Sequence, residues 1–136
     1  MDLARFAESL LLGVTVDEAE RSVAVTVRTA IVRDKFTFML RGIDRFLLDD
    51  MREQNVIDEI MIWDSSAARS DYHDTLAALV GAKAQAGSDD PFAQLVDNLS
   101  AEIMSGKKTL IQIVPVAGAS IVGLAQEVVL TNGWPS

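Results

Sequence analysis

The stretch KFTFMLRGIDRFLLDDMREQNVIDEIMIWD, residues 35–64, decides how this chain folds. Phe36, Phe38 and Leu40 recur at every second position, which predicts a half-buried β-strand over Phe36–Arg41. Val56–Trp63 predicts a second strand, which is apolar on both faces at its far end. A polar connector rich in carboxylates separates the two strands. The rest of the chain is interpreted as strands and helices added to this pair.

Four further strands are predicted, two on each side of the central pair: apolar residues alternate with other residues in the first two, and the last two are interpreted as buried strands because Thr109–Gln126 carries no charge and is interrupted at Pro115 and Gly118. They span residues 10–17, 23–27, 110–114 and 121–130. The polar residues Asp17–Arg21 join the first two strands as a hairpin. Leu3, Phe6, Ala7 and Leu10 have helical spacing and predict a short N-terminal helix, although the same residues are also compatible with the opening of a strand.

Two helices are predicted between the fourth and fifth strands. Apolar residues at helical spacing mark the first helix at Tyr72, Leu76, Leu79 and Val80, and the second at Phe92, Leu95, Val96, Leu99 and Ile103. The first helix is expected to end at Gly87–Asp89. Asp90 is the expected N-cap of the second helix, Pro91 its first helical residue and Gly106 its end.

The order of these elements, strands followed by two helices and then strands, predicts an α+β fold. The sheet is expected to be mainly antiparallel, with about six strands. The two helices, together with the short N-terminal helix, are expected to pack on one face of this sheet, because each apolar stripe needs one surface to bury it. A length of 136 residues fits a single α+β domain that spans residues 1–136.

The composition excludes several kinds of protein. The chain has no cysteine, which rules out disulfides and thiolate nucleophiles and agrees with a reducing compartment. The net charge of −8 argues against binding to nucleic acid and against binding to an anionic membrane surface. The first residues lack the basic segment of a signal peptide, so a cytoplasmic location is expected.

Sequence motifs give little support to catalysis. His73 is the only histidine, so a metal site with several histidines is excluded, and a Ser-His-Asp triad would depend on this residue. The sequence contains no Gly-x-Ser-x-Gly elbow, no Walker loop and no Gly-x-Gly-x-x-Gly fingerprint. We therefore predict no catalytic residue, no metal site and no cofactor, although a small enzyme that uses carboxylates stays open.

The polar connector is the strongest candidate for a functional surface, since residues 44–64 contain seven of the chain's twenty carboxylates. Four of them are predicted to form an exposed surface that binds a basic protein partner: Asp44, Asp49, Asp50 and Glu53. One alternative is a solvated acidic edge without a partner. Another is a carboxylate-lined cleft between sheet and helices, as a small enzyme or ligand-binding domain would need. Gln54 and Asn55 are interpreted as structural, because amides often begin turns.

Two segments and a turn resemble a known class of proteins. Phe36–Ile43 is an aromatic strand that runs into a glycine and an apolar residue, and Asp49–Ile57 is an acidic connector that ends in Gln-Asn-Val-Ile. With the turn at Ala117–Ser120, they resemble small bacterial proteins of the polymorphic-toxin immunity type. The resemblance implies a protein that inhibits a partner by binding it and performs no catalysis. A homodimer, or a homo-oligomeric structural protein, is the remaining alternative.

Overall fold

The computed structural model of the protein describes residues 3–81 and 92–134, and it has the predicted α+β fold. The strands are β1 (Leu10–Asp17), β2 (Ser22–Arg28), β3 (Lys35–Asp49), β4 (Val56–Trp63), β5 (Thr109–Ala117) and β6 (Ser120–Asn132). The helices are α1 (Arg69–Val80) and α2 (Ala93–Met104). At the N-terminus, the predicted short helix is a single 3-10 turn over Ala4–Phe6.

The antiparallel sheet closes into a barrel with the strand order β1-β2-β3-β6-β5-β4. It consists of two three-stranded meanders, β1–β2–β3 and β4–β5–β6. Their long seam is the pairing of β3 with β6, which runs from Phe36 opposite Asn132 to Asp49 opposite Ser120. Their short seam has a single ladder pair, Leu10 with Val56. Closure removes the free edges of the sheet, and nothing in the periodicity of the strands had predicted it.

Strand β3 is much longer than the predicted Phe36–Arg41. It continues to Asp49, with a register shift against β6 between Ile43 and Arg45. Gly42 precedes this shift with φ of +65°, and a Cβ at this position would lie 2.5 Å from the side chain of Gln126. The irregularity interrupts the alternation of apolar residues, which is why the sequence pattern ended the strand too early.

The interior of the barrel is filled by the aromatic and branched residues of the predicted strands, including Val25, Phe38 and Leu40. Phe6, on the 3-10 turn, is fully buried in the same cluster and lies edge-on to Phe38, with ring centroids 5.1 Å apart. The N-terminal turn therefore contributes to the core inside the barrel. Gly123 leaves room for Leu40, since a Cβ on Gly123 would lie 2.6 Å from Cδ2 of Leu40.

Both helices pack on the outer face of β5 and β6. The predicted stripe of α2 is confirmed, since Leu99 is only 5% exposed and shares a cluster with Leu110, Val122 and Leu124. The two helices are also joined by a buried hydrogen bond of 3.0 Å between the hydroxyls of Tyr72 and Ser100. Helix α1 ends at Val80, followed by Gly81 in the left-handed conformation. The predicted boundaries at Gly87–Asp89, Asp90 and Pro91 lie outside the described residues.

Candidate functional site

The far end of β3 carries three of the four predicted site residues. Asp49 is the last residue of the strand, and Asp50 and Glu53 lie in the short connector that leads to β4. All three side chains are exposed, as predicted. The carboxylate of Asp50 accepts hydrogen bonds of 3.0 and 3.3 Å from the guanidinium of Arg52. Because β3 extends to Asp49, the connector is shorter than the sequence pattern indicated.

Asp44 lies apart from these three, five residues earlier on β3. Its carboxylate accepts a hydrogen bond of 2.5 Å from Nζ of Lys108, which also lies 2.6 Å from Glu102 at the end of α2. The Lys108 side chain is only 19% exposed. Burial by itself lowers the pKa of Lys108, but the hydrogen bonds and charges of Asp44 and Glu102 outweigh it and raise that pKa. Asp44 therefore belongs to an ion-paired group that joins the barrel to α2.

Asn55 holds the connector in place, which gives it the structural role expected from the sequence. It is only 4% exposed. Its Oδ1 accepts hydrogen bonds from the backbone N–H of Arg52 at 3.0 Å and of Ala119 at 2.8 Å, while its Nδ2 donates to the carbonyl of Arg52 at 2.8 Å. Gly118 makes the approach possible, because a Cβ there would lie 2.3 Å from Oδ1 of Asn55. The amide thus ties the connector to the β5–β6 turn.

Four exposed apolar residues lie near the three carboxylates along the chain or across the sheet. They belong to the end of β3, the connector and the end of β5: Leu47, Leu48, Met51 and Val116. Val116 is brought into this region because the next residue, Ala117, pairs with Val56 at the start of β4. Together with Asp49, Asp50 and Glu53, these four residues are called the acidic-apolar surface below. The sequence analysis did not predict the apolar residues of this surface. Leu47 and Leu48, two adjacent leucines next to an acidic segment, were the pattern that could have indicated it.

Three clefts in the described part of the chain are lined by residues other than Asp44, Asp49, Asp50 and Glu53. One of them, of about 440 Å³, lies between the 3-10 turn and the β2–β3 loop. Its walls are mainly apolar, and its charged residues are Arg5, Glu8 and Asp34. Within residues 3–81 and 92–134, no three His, Cys, Asp or Glu side chains are grouped so that they could hold a metal ion.

Two further residues, His73 and Asp64, have side chains that could take part in catalysis, but each lies in an ordinary helix or turn. His73 lies half-buried in the first half of α1. The pKa of Asp64 is lowered by hydrogen bonds that its Oδ1 accepts from the hydroxyl and the backbone N–H of Ser66, at 2.6 and 2.9 Å. These bonds form a turn between β4 and α1, so Asp64 is best explained as a turn residue. No helix in the described part of the chain is both long enough and apolar enough to cross a membrane.

Comparison with protein-family models, curated proteins and solved structures finds no match to this chain. The resemblance to immunity-type proteins is therefore neither supported nor contradicted by relatives. A functional conclusion has to rest on the geometry of the molecule itself.

Proposed function

We propose that this protein is a binding domain without catalytic activity, and that the acidic-apolar surface docks a basic protein partner. The observation that carries the proposal is the grouping of exposed apolar and acidic side chains at one end of the barrel. Protein interfaces commonly combine an apolar centre with a polar rim. Here Leu48 and Met51, which flank Asp49 and Asp50 in the sequence, supply exposed apolar area.

The charges of this surface favour a basic partner. Asp49 and Glu53 have no ion-pair partner among the contacts of the described residues, and Asp50 is paired only with the exposed Arg52. Complementary charge increases the rate at which partners meet and disfavours partners of the wrong sign. The overall charge of −8 has the same sign as this surface. An acidic surface is thus well suited to the selection of a basic protein.

The backbone beneath the acidic-apolar surface supports a role in recognition. Asn55 anchors the connector through three hydrogen bonds, two of them within the connector and one to the β5–β6 turn. A surface that is already ordered loses less conformational entropy when a partner binds. This arrangement is consistent with the specific version of the proposal, in which the protein neutralises a basic partner in the manner of an immunity protein or inhibitor.

Neutralisation of the three carboxylates tests the proposal. The triple variant Asp49→Asn, Asp50→Asn, Glu53→Gln removes three charges and keeps side-chain size. Immobilised wild type and variant are used to capture partners from a lysate at low and at high salt. The variant is expected to capture less of a basic partner at low salt, and the difference is expected to shrink at high salt because exposed charges are then screened.

A second triple variant serves as the matched control. Glu18→Gln, Glu20→Gln and Glu59→Gln remove the same number of charges from exposed positions outside the acidic-apolar surface. Partner capture by this control should follow the wild type. Equal loss of partner capture in both triple variants would show that only the net charge matters. Unchanged capture by the first variant at every salt concentration would refute the proposed surface.

A further inference from the structure

The opposite end of β3 begins in a loop whose apolar side chains point into solvent. Ile31 is 94% exposed and Val32 is 70% exposed, in the connection between β2 and β3. The loop is closed by hydrogen bonds between Thr29 and Asp34: the Thr29 N–H donates to the Asp34 carbonyl at 2.9 Å, and the Asp34 N–H donates to Oγ1 of Thr29 at 3.2 Å. Two neighbouring aliphatic residues are therefore held at the tip of a loop that hydrogen bonds keep ordered.

Basic residues surround this tip, in contrast to the charge of the whole chain. Arg28, Arg33 and Lys35 lie in or beside the loop. Arg5 lies next to it, with its guanidinium 4.5 Å from the centre of the Phe36 ring. Glu8 and Asp34 are the carboxylates that line the adjoining cleft. The charges of these four cations and two carboxylates sum to about +2 at neutral pH.

An exposed tryptophan belongs to the same end of the barrel. Trp134 is 55% exposed, and Nζ of Lys35 lies 5.1 Å from the centre of its ring. The Gly133 N–H donates a hydrogen bond of 2.8 Å to the carbonyl of Lys35, which places the tail beside the start of β3. Ile31, Val32 and Trp134, with Arg5, Arg28, Arg33 and Lys35, are called the basic tip below.

We propose that the basic tip docks on an anionic lipid bilayer, with Ile31 and Val32 inserted at the level of the headgroups. Aliphatic side chains gain from leaving water, cations are attracted by anionic headgroups, and tryptophan prefers the boundary between them. The basic tip presents all three kinds of side chain together. Charge complementarity with an anionic surface thus identifies the occupant. This surface is separate from the one that we propose for a protein partner.

The net charge of −8 does not prevent this docking. Lys35 and Asp49 are the two ends of β3, fourteen residues apart, and an extended strand of that length spans at most about 46 Å. Electrostatic interactions are screened over about 8 Å at physiological ionic strength. A bilayer that contacts the basic tip therefore interacts mainly with the local positive charge, while the acidic-apolar surface lies far from it.

Flotation with lipid vesicles tests this inference on the full chain. Vesicles of phosphatidylcholine alone are compared with vesicles that also contain phosphatidylglycerol. We expect binding only to the anionic vesicles, with weaker binding at high salt. Replacement of Arg33 and Lys35 by Gln should weaken binding about 30-fold, on the basis of the usual contribution of a cation near an anionic membrane. The double variant Ile31→Ser, Val32→Ser should weaken it roughly tenfold or more.

Tryptophan fluorescence provides a second readout that reports the docked surface directly. Emission of the wild type should shift to shorter wavelength with anionic vesicles, and the variant Trp134→Phe, which keeps Trp63, should lose this shift. The matched control Arg41→Gln, at an exposed cation outside the basic tip, should bind like the wild type. Absence of binding to anionic vesicles would overturn the inference. Undiminished vesicle binding by the Ile31→Ser, Val32→Ser variant would also overturn it. So would a dimer of the wild type, measured by light scattering, that the same variant fails to form.

Discussion

The two ends of β3 present exposed apolar residues in different ways. At the acidic end, Asn55 bonds to Ala119, so the connector is fixed by a segment 64 residues away in sequence. At the basic end, the loop that exposes Ile31 and Val32 is closed by Thr29 and Asp34, which are only five residues apart. The comparison teaches that the acidic connector depends on the global fold, whereas the loop that exposes Ile31 and Val32 depends on local structure. Changes beneath the first should therefore affect the stability of the whole domain more strongly.

Replacement of Gly118 by Ala should show the largest effect. The added Cβ would collide with Oδ1 of Asn55, and φ of +91° is unfavourable for any residue with a Cβ. We expect a loss of about 3 kcal/mol in the free energy of unfolding, measured by urea titration. Gly133→Ala, near the basic tip, is the matched control: its φ is +78° but no atom lies near the added Cβ, so the loss should be about 1 kcal/mol. Equal losses would show that the Asn55–Gly118 contact is unimportant.

Replacement of the two anchoring residues should show the next largest effect. Asn55→Ala leaves the N–H groups of Arg52 and Ala119 without their acceptor, and we expect a loss of about 2–3 kcal/mol. Thr29→Ala removes the hydroxyl that accepts from Asp34 and should cost about 1 kcal/mol. Amide hydrogen exchange should show reduced protection throughout the domain for Asn55→Ala, and reduced protection only around the β2–β3 loop for Thr29→Ala. A loss no larger for Asn55 than for Thr29 would contradict the proposed difference between the two ends.

Lys108→Met tests whether Asp44 stabilises the fold through its ion pair and does not belong to the acidic-apolar surface. We expect a loss of about 1 kcal/mol at neutral pH, because two carboxylates lose their shared cation. The pKa of Lys108 is raised above its ordinary value of 10.5, so its contribution is complete below that pH and is lost as the pH rises through the folded-state value. The stability difference between wild type and variant should therefore shrink at strongly alkaline pH. A difference that stays constant there would argue against the ion-paired group.

The smallest change in stability is expected for the variant Asp49→Asn, Asp50→Asn, Glu53→Gln. These side chains are exposed, so the unfolding free energy should stay within about 0.5 kcal/mol of the wild type. Its effect on partner capture should nevertheless be large. A strong destabilisation measured in the same titration would mean that the three carboxylates support the fold and would weaken their assignment to recognition.

Much of the fold could be predicted because its signals are local. The alternation of Phe36, Phe38 and Leu40 marks the start of β3, and the stripe through Leu99 and Ile103 marks α2. Both patterns arise because one face of each element is buried, which is visible in the order of residues alone. The extension of β3 to Asp49 was missed, since Gly42 and the register shift after Ile43 break the two-residue period.

The candidate site was predicted only in part. The exposure of Asp49, Asp50 and Glu53 followed from their charge, since unpaired carboxylates are rarely buried. The pairing of Asp44 with Lys108 joins residues 64 apart, and no spacing in the sequence could indicate it. The sequence also gave no reason to expect that Val116 would lie beside the acidic connector.

The sequence by itself determined the α+β class, most of the elements, the structural role of Asn55 and the acidic character of the chain. Only the tertiary structure decided that the sheet closes into a barrel, that Phe6 fills its interior and that opposite charges gather at the two ends of β3. The physical reason is that periodicity records which side of an element is buried. Strand order, register and closure depend instead on contacts between distant segments, which leave no periodic signal in the chain.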